Sequence, residues 1–300
     1  MALLSADQKM TEALFAYPGA LGVRMRVGWD SLEAKEGVID FSQIDLAISY
    51  AKKAGRQIII GFNTTTAAPK WVLDAGVKTI TLDAKEKLAG IKMPVPWDPI
   101  FLAKEAAFAK ALADHLDNEP TVTAIVMGGF GQTGEGYVAK SDKEQEQADA
   151  AGGLKAYVTG MKTLIDSYAA VFKKTRFAYT AAKPYSKSGG NDEMNEIIDY
   201  GCSKYPLFGF MNSQLNAYTQ AAKGNSTSAM VKYHDQHVTA FQFLTSGHGF
   251  NDRSLNGSVE DCMKIAASVP VNWVEVYLTD LTDANKAMFD AYNAKLAGPQ

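Results

Sequence analysis

The sequence is poor in features that mark several large protein classes. It has two cysteines in 300 residues, Cys202 and Cys262, at no metal-site spacing, so both are expected as free buried thiols. Among its four histidines, His234-Asp-Gln-His237 forms a close pair, but no third ligand accompanies it. That segment reads as a solvated helix end, and no metal site is expected. There is no basic run, and the formal net charge is −3, which excludes the electrostatic footprint of a nucleic-acid binder. The longest apolar stretches are strand-sized, so no membrane span is expected. Met1 to Asp7 has neither the charged start nor the apolar run of a signal peptide. The compartment therefore stays open: secreted or periplasmic if a leader has been removed, cytoplasmic otherwise. No glycine-rich segment fits a phosphate loop or a dinucleotide fingerprint, and no cofactor is expected. Lys183-Pro-Tyr185 follows a strand, but nothing beside it would depress a lysine pKa, which argues against Schiff-base chemistry.

What is present is an ordinary globular composition, 47% hydrophobic and 21% charged. With no linker or composition break, residues 1–300 read as one domain. Short β-rich runs alternate with helical patterns, the signature of βα units around a parallel sheet. Seven strands are expected at Gly22–Gly28, Gln57–Phe62, Thr121–Gly128, Arg176–Ala181, Leu207–Asn212, Thr239–Thr245 and Trp273–Leu278. An eighth at Ala2–Ser5, before a helix around Gln8–Ala16, would close a (β/α)₈ TIM barrel, a fold whose domains run to about 250 residues. Helices are expected after the near capping box at Ser42 as far as Gly55, and from Pro99 to Leu116 behind the N-cap Asp98. Four more are expected at Gly152–Phe172, Asp192–Tyr200, Asp261–Ala267 and Asp283–Leu296.

Strand parity then separates barrel interior from helix-facing exterior. In the last strand Val274, Val276 and Leu278 suit the helix side, leaving Trp273, Glu275 and Tyr277 in the lumen. In the strand Thr239–Thr245, Phe241 and Phe243 pack outward, leaving Gln242 and Leu244 inside. Polar lumen residues near strand ends in this fold normally belong to the active site.

Two consecutive βα units carry recognisable motifs. The first reads Arg26-x-x-Trp29-x-x-Leu32-Glu33-x-x-x-Gly37-x-x-Asp40-Phe41, and the second continues through Ile58–Phe62 to Ala68-Pro69-Lys-Trp71. Over roughly residues 10–140 the chain resembles clan A glycoside hydrolases, most closely family 42-like β-galactosidases. The resemblance implies a carbohydrate substrate cleaved by two carboxyl groups. It makes Glu135, in the loop after the fourth strand, the general acid/base. Here the chain departs from the family, with Gly134-Glu135 where an Asn-Glu pair is usual.

The resembled nucleophile position holds Gln242, an amide that cannot form a glycosyl ester. Glu275, the one glutamate inside a late strand, is then the candidate second carboxylate; its alternative is an ion pair with Arg24 or Arg26. Arg26 is expected to support a carboxylate or bind substrate. Trp29, Trp71, Trp97, Tyr137, Trp273 and Tyr277 are candidate sugar-stacking aromatics, about half of them expected in the cleft. Asn63, Asn212, Gln214 and Gln242 are candidate hydroxyl binders, and His248 a candidate loop contact. Two readings follow: a two-carboxylate glycoside hydrolase, or a carbohydrate-binding barrel that has lost hydrolysis. Oligomeric state is not legible.

Overall fold

A computed structural model describes residues 1–4, 10–17, 19–83, 88–247 and 255–296. Among these, eight parallel strands close into a barrel: β1 (Ala2–Leu3), β2 (Gly22–Gly28), β3 (Gln57–Asn63), β6 (Val122–Val126), β7 (Arg176–Thr180), β8 (Phe208–Leu215), β9 (Thr239–Phe243) and β10 (Trp273–Tyr277). β1 pairs with both β2 and β10 and so seals the ring. It is only two residues long; Ser5, expected to extend it, lies outside the described residues, as do Gln8 and Lys9. In place of the helix expected around Gln8–Ala16, the described part holds a 3₁₀ turn at Glu12–Phe15. A hairpin of β4 (Thr79–Thr81) and β5 (Lys92–Pro94), which sequence periodicity did not reveal, decorates the loop after β3.

The outer layer is formed by α1 (Trp29–Leu32), α2 (Ser42–Ala54), α3 (Lys70–Asp74), α4 (Pro99–Leu116), α5 (Asp142–Ala150), α6 (Gly153–Val171), α7 (Asn191–Lys204), α8 (Ser226–Tyr233), α9 (Val259–Ser268) and α10 (Asp283–Leu296). Asp98 caps α4 by accepting from the backbone of Ile100 and Phe101, satisfying amides that the first helical turn leaves unpaired. α2 ends at Gly55 in the left-handed region, as read, but its N-cap is Phe41 rather than Ser42. There Asp40 accepts from the Ser42 amide, taking the role expected of the serine.

Alternation along the strands sorts the side chains as parity predicts. Val274, Val276, Phe241 and Phe243 join the main core between strands and helices, whereas Ile59, Ala124, Val126, Ala178, Met211 and Ala240 fill the lumen above Trp273. Leu244 is the exception: the strand ends before it, and it is 41% exposed. Both cysteines are free and buried. His237 is buried too, its Nδ1 3.0 Å from the Phe208 carbonyl, so that part of the segment is a packed strand contact and not a solvated helix end. Among the described residues no helix is long and apolar enough to cross a membrane.

Candidate active site

Gly61, Ala124 and Ala178 put little side chain into the lumen, which leaves room there for charged side chains. Arg24 and Arg26 project inward from β2. Gly61 faces Arg24 on the neighbouring strand, and any side chain at that position would collide with the guanidinium. Glu135 arrives from outside the sheet, on the loop that follows β6. That loop is pinned at several points: Thr65 Oγ1 donates to the Gly131 carbonyl, and the Gly134 amide donates back to Thr65 Oγ1 at 3.0 Å. Gln132 is buried and donates to Glu144 at 2.7 Å. Gly134 has φ +78° and lies against the Phe62 carbonyl. A side chain there would meet backbone, which gives the physical reason for glycine where the resembled family carries asparagine.

The result is a charge cluster at the C-terminal mouth. Arg26 Nη2 lies 2.9 Å from Glu135 Oε1, and Arg24 Nη2 3.7 Å from Glu135 Oε2. Thr180 Oγ1 donates to Glu135 Oε2 at 3.0 Å. Arg26 also donates to Gln242 Oε1 at 2.8 Å, so the amide at the expected nucleophile position orients an arginine. Deeper in the lumen, Arg24 Nε lies 3.2 Å from Glu275 Oε1, and Trp273 donates to the same oxygen at 3.2 Å.

The two carboxyls have opposite proton affinities. Burial would raise Glu135, but Arg26 and Arg24, with hydrogen bonds from Thr180 and Arg26, outweigh it and hold the carboxyl below its ordinary value. Burial raises Glu275, Arg24 opposes this only in part, and the Glu135 charge adds to the rise. Glu135 is therefore an anion through the neutral range, the reverse of the resting proton donor expected from sequence.

A cavity of about 250 Å³ lies over this cluster, lined by Arg24, Arg26, Asn63, Thr133, Glu135 and Tyr277, with apolar wall residues. Glu275 is fully buried and does not line it; Arg24 separates it from the opening. The sequence alternative for Glu275, an ion pair with Arg24, is the contact observed. Tyr277 shares the cavity and keeps its phenolic proton more firmly than usual, because burial and then the nearby carboxylates outweigh the pull of Arg26. Asn63 lines it as well, while its side chain also ties Thr65 and Thr66 at the strand end.

Several expected rim aromatics sit elsewhere. Trp29 is wholly buried, stacked on Phe108, and donates to Glu33 at 2.7 Å. Trp71 is half-buried edge-on against Trp29 and donates to the Glu33 carbonyl. Glu33 also accepts from the Gly37 amide, so the recognisable Trp-x-x-Leu-Glu motif builds the wall and not the cleft. Trp97 packs against Gly160 on the outer helical layer and donates to Ala151. Trp273 borders a larger cavity of about 610 Å³ that opens at the opposite, N-terminal end of the barrel, away from the charge cluster. Tyr137, Asn212 and Gln214 gather in a separate groove beside the mouth. His248 lies outside the described residues.

Residues that periodicity did not single out hold the site together: Thr65 under the Glu135 loop, and Glu105 and Thr64 behind it. Glu105 is buried on α4 and accepts from Thr64 at 2.8 Å. A glutamate on the otherwise apolar buried stripe of α4 was the signal that could have marked it.

The fold is a (β/α)₈ barrel, and its charge cluster sits at the C-terminal mouth. The model for glycoside hydrolase family 42, described as beta-galactosidase, matches residues 14–129. The match ends before Glu135, so the roles of the carboxyls rest on the site itself. No curated protein sequence matches the chain. Similar solved structures include the catalytic domain of the major endoglucanase from Xanthomonas campestris pv. campestris, with 12% identity, 93% of this chain and 85% of that one covered, and a TM-score of 0.50. A beta-glucanase from Saccharophagus degradans shares 12% identity over 96% of this chain and 82% of its own, at a TM-score of 0.52. Endo-glycoceramidase II from Rhodococcus sp. shares 14% over 90% and 68%, at 0.53. At such identities the likeness is one of fold.

Proposed function

We propose that this protein hydrolyses glycosidic bonds of an oligo- or polysaccharide at the C-terminal mouth of the barrel, with Glu135 as the reacting carboxylate. The observation that carries the reading is that Glu135 lines the mouth cavity while two arginines keep it ionised. An anion facing the sugar suits attack on the anomeric carbon, or removal of a proton from an attacking water, as positive charge develops on the ring; the glycosidic C–O bond breaks, and the departing oxygen takes its proton from the Tyr277 hydroxyl or from water. Asn63 and Thr133 offer hydrogen bonds to hydroxyls, and Tyr277 is the proton-bearing group beside the carboxylate. Glu275 acts through Arg24, as its counter-ion, and not by touching substrate.

The family description and the names of the similar structures make β-galactosides and β-glucans the first substrates to screen. Release of reducing ends by the wild-type chain, abolished in Glu135→Gln, is the expected result. A Glu135→Gln protein with undiminished turnover removes the assignment. A partial loss in Glu275→Gln is expected, since that change removes the counter-ion of Arg24 without removing a reacting group.

A further inference from the structure

Beside the mouth, and separate from the Glu135 cavity, a groove of about 390 Å³ opens between the loops that follow β7 and β8. Its volume falls within the range of about 300–1,000 Å³ common for ligand pockets. Its lining is unlike that of the catalytic cavity. Side-chain amides of Asn212, Gln214, Asn216 and Asn225 and the hydroxyls of Ser226 and Thr227 contribute; among the described residues Lys183 is the one charged group of the lining, and no acid takes part.

Three features mark it as built for a ligand. The β8–β9 register shifts between Asn212 and Leu215, an irregularity of the kind that re-aims side chains at the end of a strand. Within this shifted segment Gln214 Nε2 donates to Tyr137 Oη at 3.1 Å, so the groove begins at the loop that carries Glu135. Tyr218, which lines the groove, is 73% exposed, the most exposed of the large apolar or aromatic side chains among the described residues. It is not loosely held, because its amide donates to Asn216 Oδ1 at 2.9 Å and the Asn216 amide donates to Thr219. A hydrogen-bonded turn thus leaves an aromatic ring exposed beside the amides and hydroxyls of the groove. That combination of an apolar face with neutral hydrogen-bonding groups matches a pyranose ring.

We propose that this groove is a second carbohydrate subsite, taking neutral sugar residues of the chain whose cleaved bond lies over Glu135. The proposal rests on the glycosidase reading and sharpens it: the substrate is a glycan several residues long, and Tyr218 and Gln214 set the preference for length.

The test is calorimetric titration of the full chain carrying Glu135→Gln with β-glucan and β-galactan ladders from disaccharide to hexasaccharide. Affinity is expected to rise along one ladder by roughly tenfold or more, about 1.4 kcal/mol. Tyr218→Ala and Gln214→Ala, added singly, are each expected to flatten that rise. Tyr218 is exposed, so its variant carries little risk of misfolding, and circular dichroism checks both. Disaccharide binding with no gain from length, or a gain that survives both variants, overturns the subsite and leaves the glycosidase reading standing. No binding at any length counts against both.

Discussion

Arg24 and Glu275 meet inside the barrel with Nε and Oε1 3.2 Å apart and side chains 2% and 0% exposed. The same guanidinium reaches Glu135 with Nη2, so one arginine serves a buried carboxyl below and a cavity carboxyl above. The inverse proton affinities of the two acids follow from this stacking. Glu135 has two arginines and a threonine hydroxyl in contact, whereas Glu275 is more deeply buried, touches Arg24 alone of the arginines and feels the charge of Glu135.

Removing Arg24 therefore strands a carboxyl in the lumen. Breaking a buried pair from one side costs about 3–5 kcal/mol in comparable cases. Arg24→Met is expected to lower unfolding free energy by that order near neutral pH, and by less at acid pH. Without Arg24, Glu275 takes up a proton more readily, and the neutral acid is cheaper to bury. Urea unfolding of Arg24→Met, Glu275→Gln and the double variant reads the coupling. Additive single effects show that the pair contributes nothing to stability.

The charge on Glu135 sets the expected pH profile. Its folded pKa lies below the ordinary value of 4.5, so the ionised form persists into more acid solution than a free glutamate allows. The acid limb of kcat/KM should fall below that value, and Arg26→Gln should move it upward by removing the nearest opposing charge. An acid limb that stays in place in Arg26→Gln separates the limb from Glu135.

Gly61 permits the Arg24 placement by lacking a side chain. Gly61→Ala is expected to displace the guanidinium and lower turnover by at least about tenfold, the order of a misplaced catalytic group. Gly37→Ala serves as a comparison, since its glycine has φ +76° but open space around it. That variant should lose some stability to backbone strain and keep the pH profile of the wild type. Equal pH profiles and turnover in the two variants count against a special role for Gly61.

Much of the fold was legible because barrel strands announce themselves. Gly22–Gly28 was read to the residue, and parity placed Glu275 and Gln242 in the lumen. β1 was harder, since two residues carry too little pattern to distinguish a strand from a loop. The rim aromatics were legible as residues but not as positions. Trp29 and Trp71 follow strand ends and so satisfy the sequence rule for a cleft, yet each indole N–H is taken by Glu33. Periodicity cannot distinguish a tryptophan turned to solvent from one turned under a helix. The charge states were also out of reach, because they depend on Arg24 and Arg26 meeting Glu135 across more than a hundred residues of chain.

Glu105 supplies the last expectation. It is buried on α4 against Thr64 and Gly129, directly behind the loop that presents Glu135. Burial pushes its carboxyl up from 4.5 to about 8, the Thr64 hydrogen bond opposing this only in part. An unfolded chain releases that proton near the ordinary value, while the folded chain keeps it until about 8. Across this window the unfolded state binds fewer protons, so stability falls as pH rises and levels off once the folded carboxyl has also ionised. Glu105→Gln is a neutral isostere and should abolish that decline, leaving the variant more stable than wild type above neutrality by on the order of a few kcal/mol. Glu105→Ala should instead be destabilised throughout by the cavity it opens behind the loop. Melting temperatures of all three proteins from acid to alkaline pH decide the matter. Parallel curves for wild type and Glu105→Gln mean that Glu105 is ionised in the folded protein at ordinary pH, and the loop then rests on a buried charge.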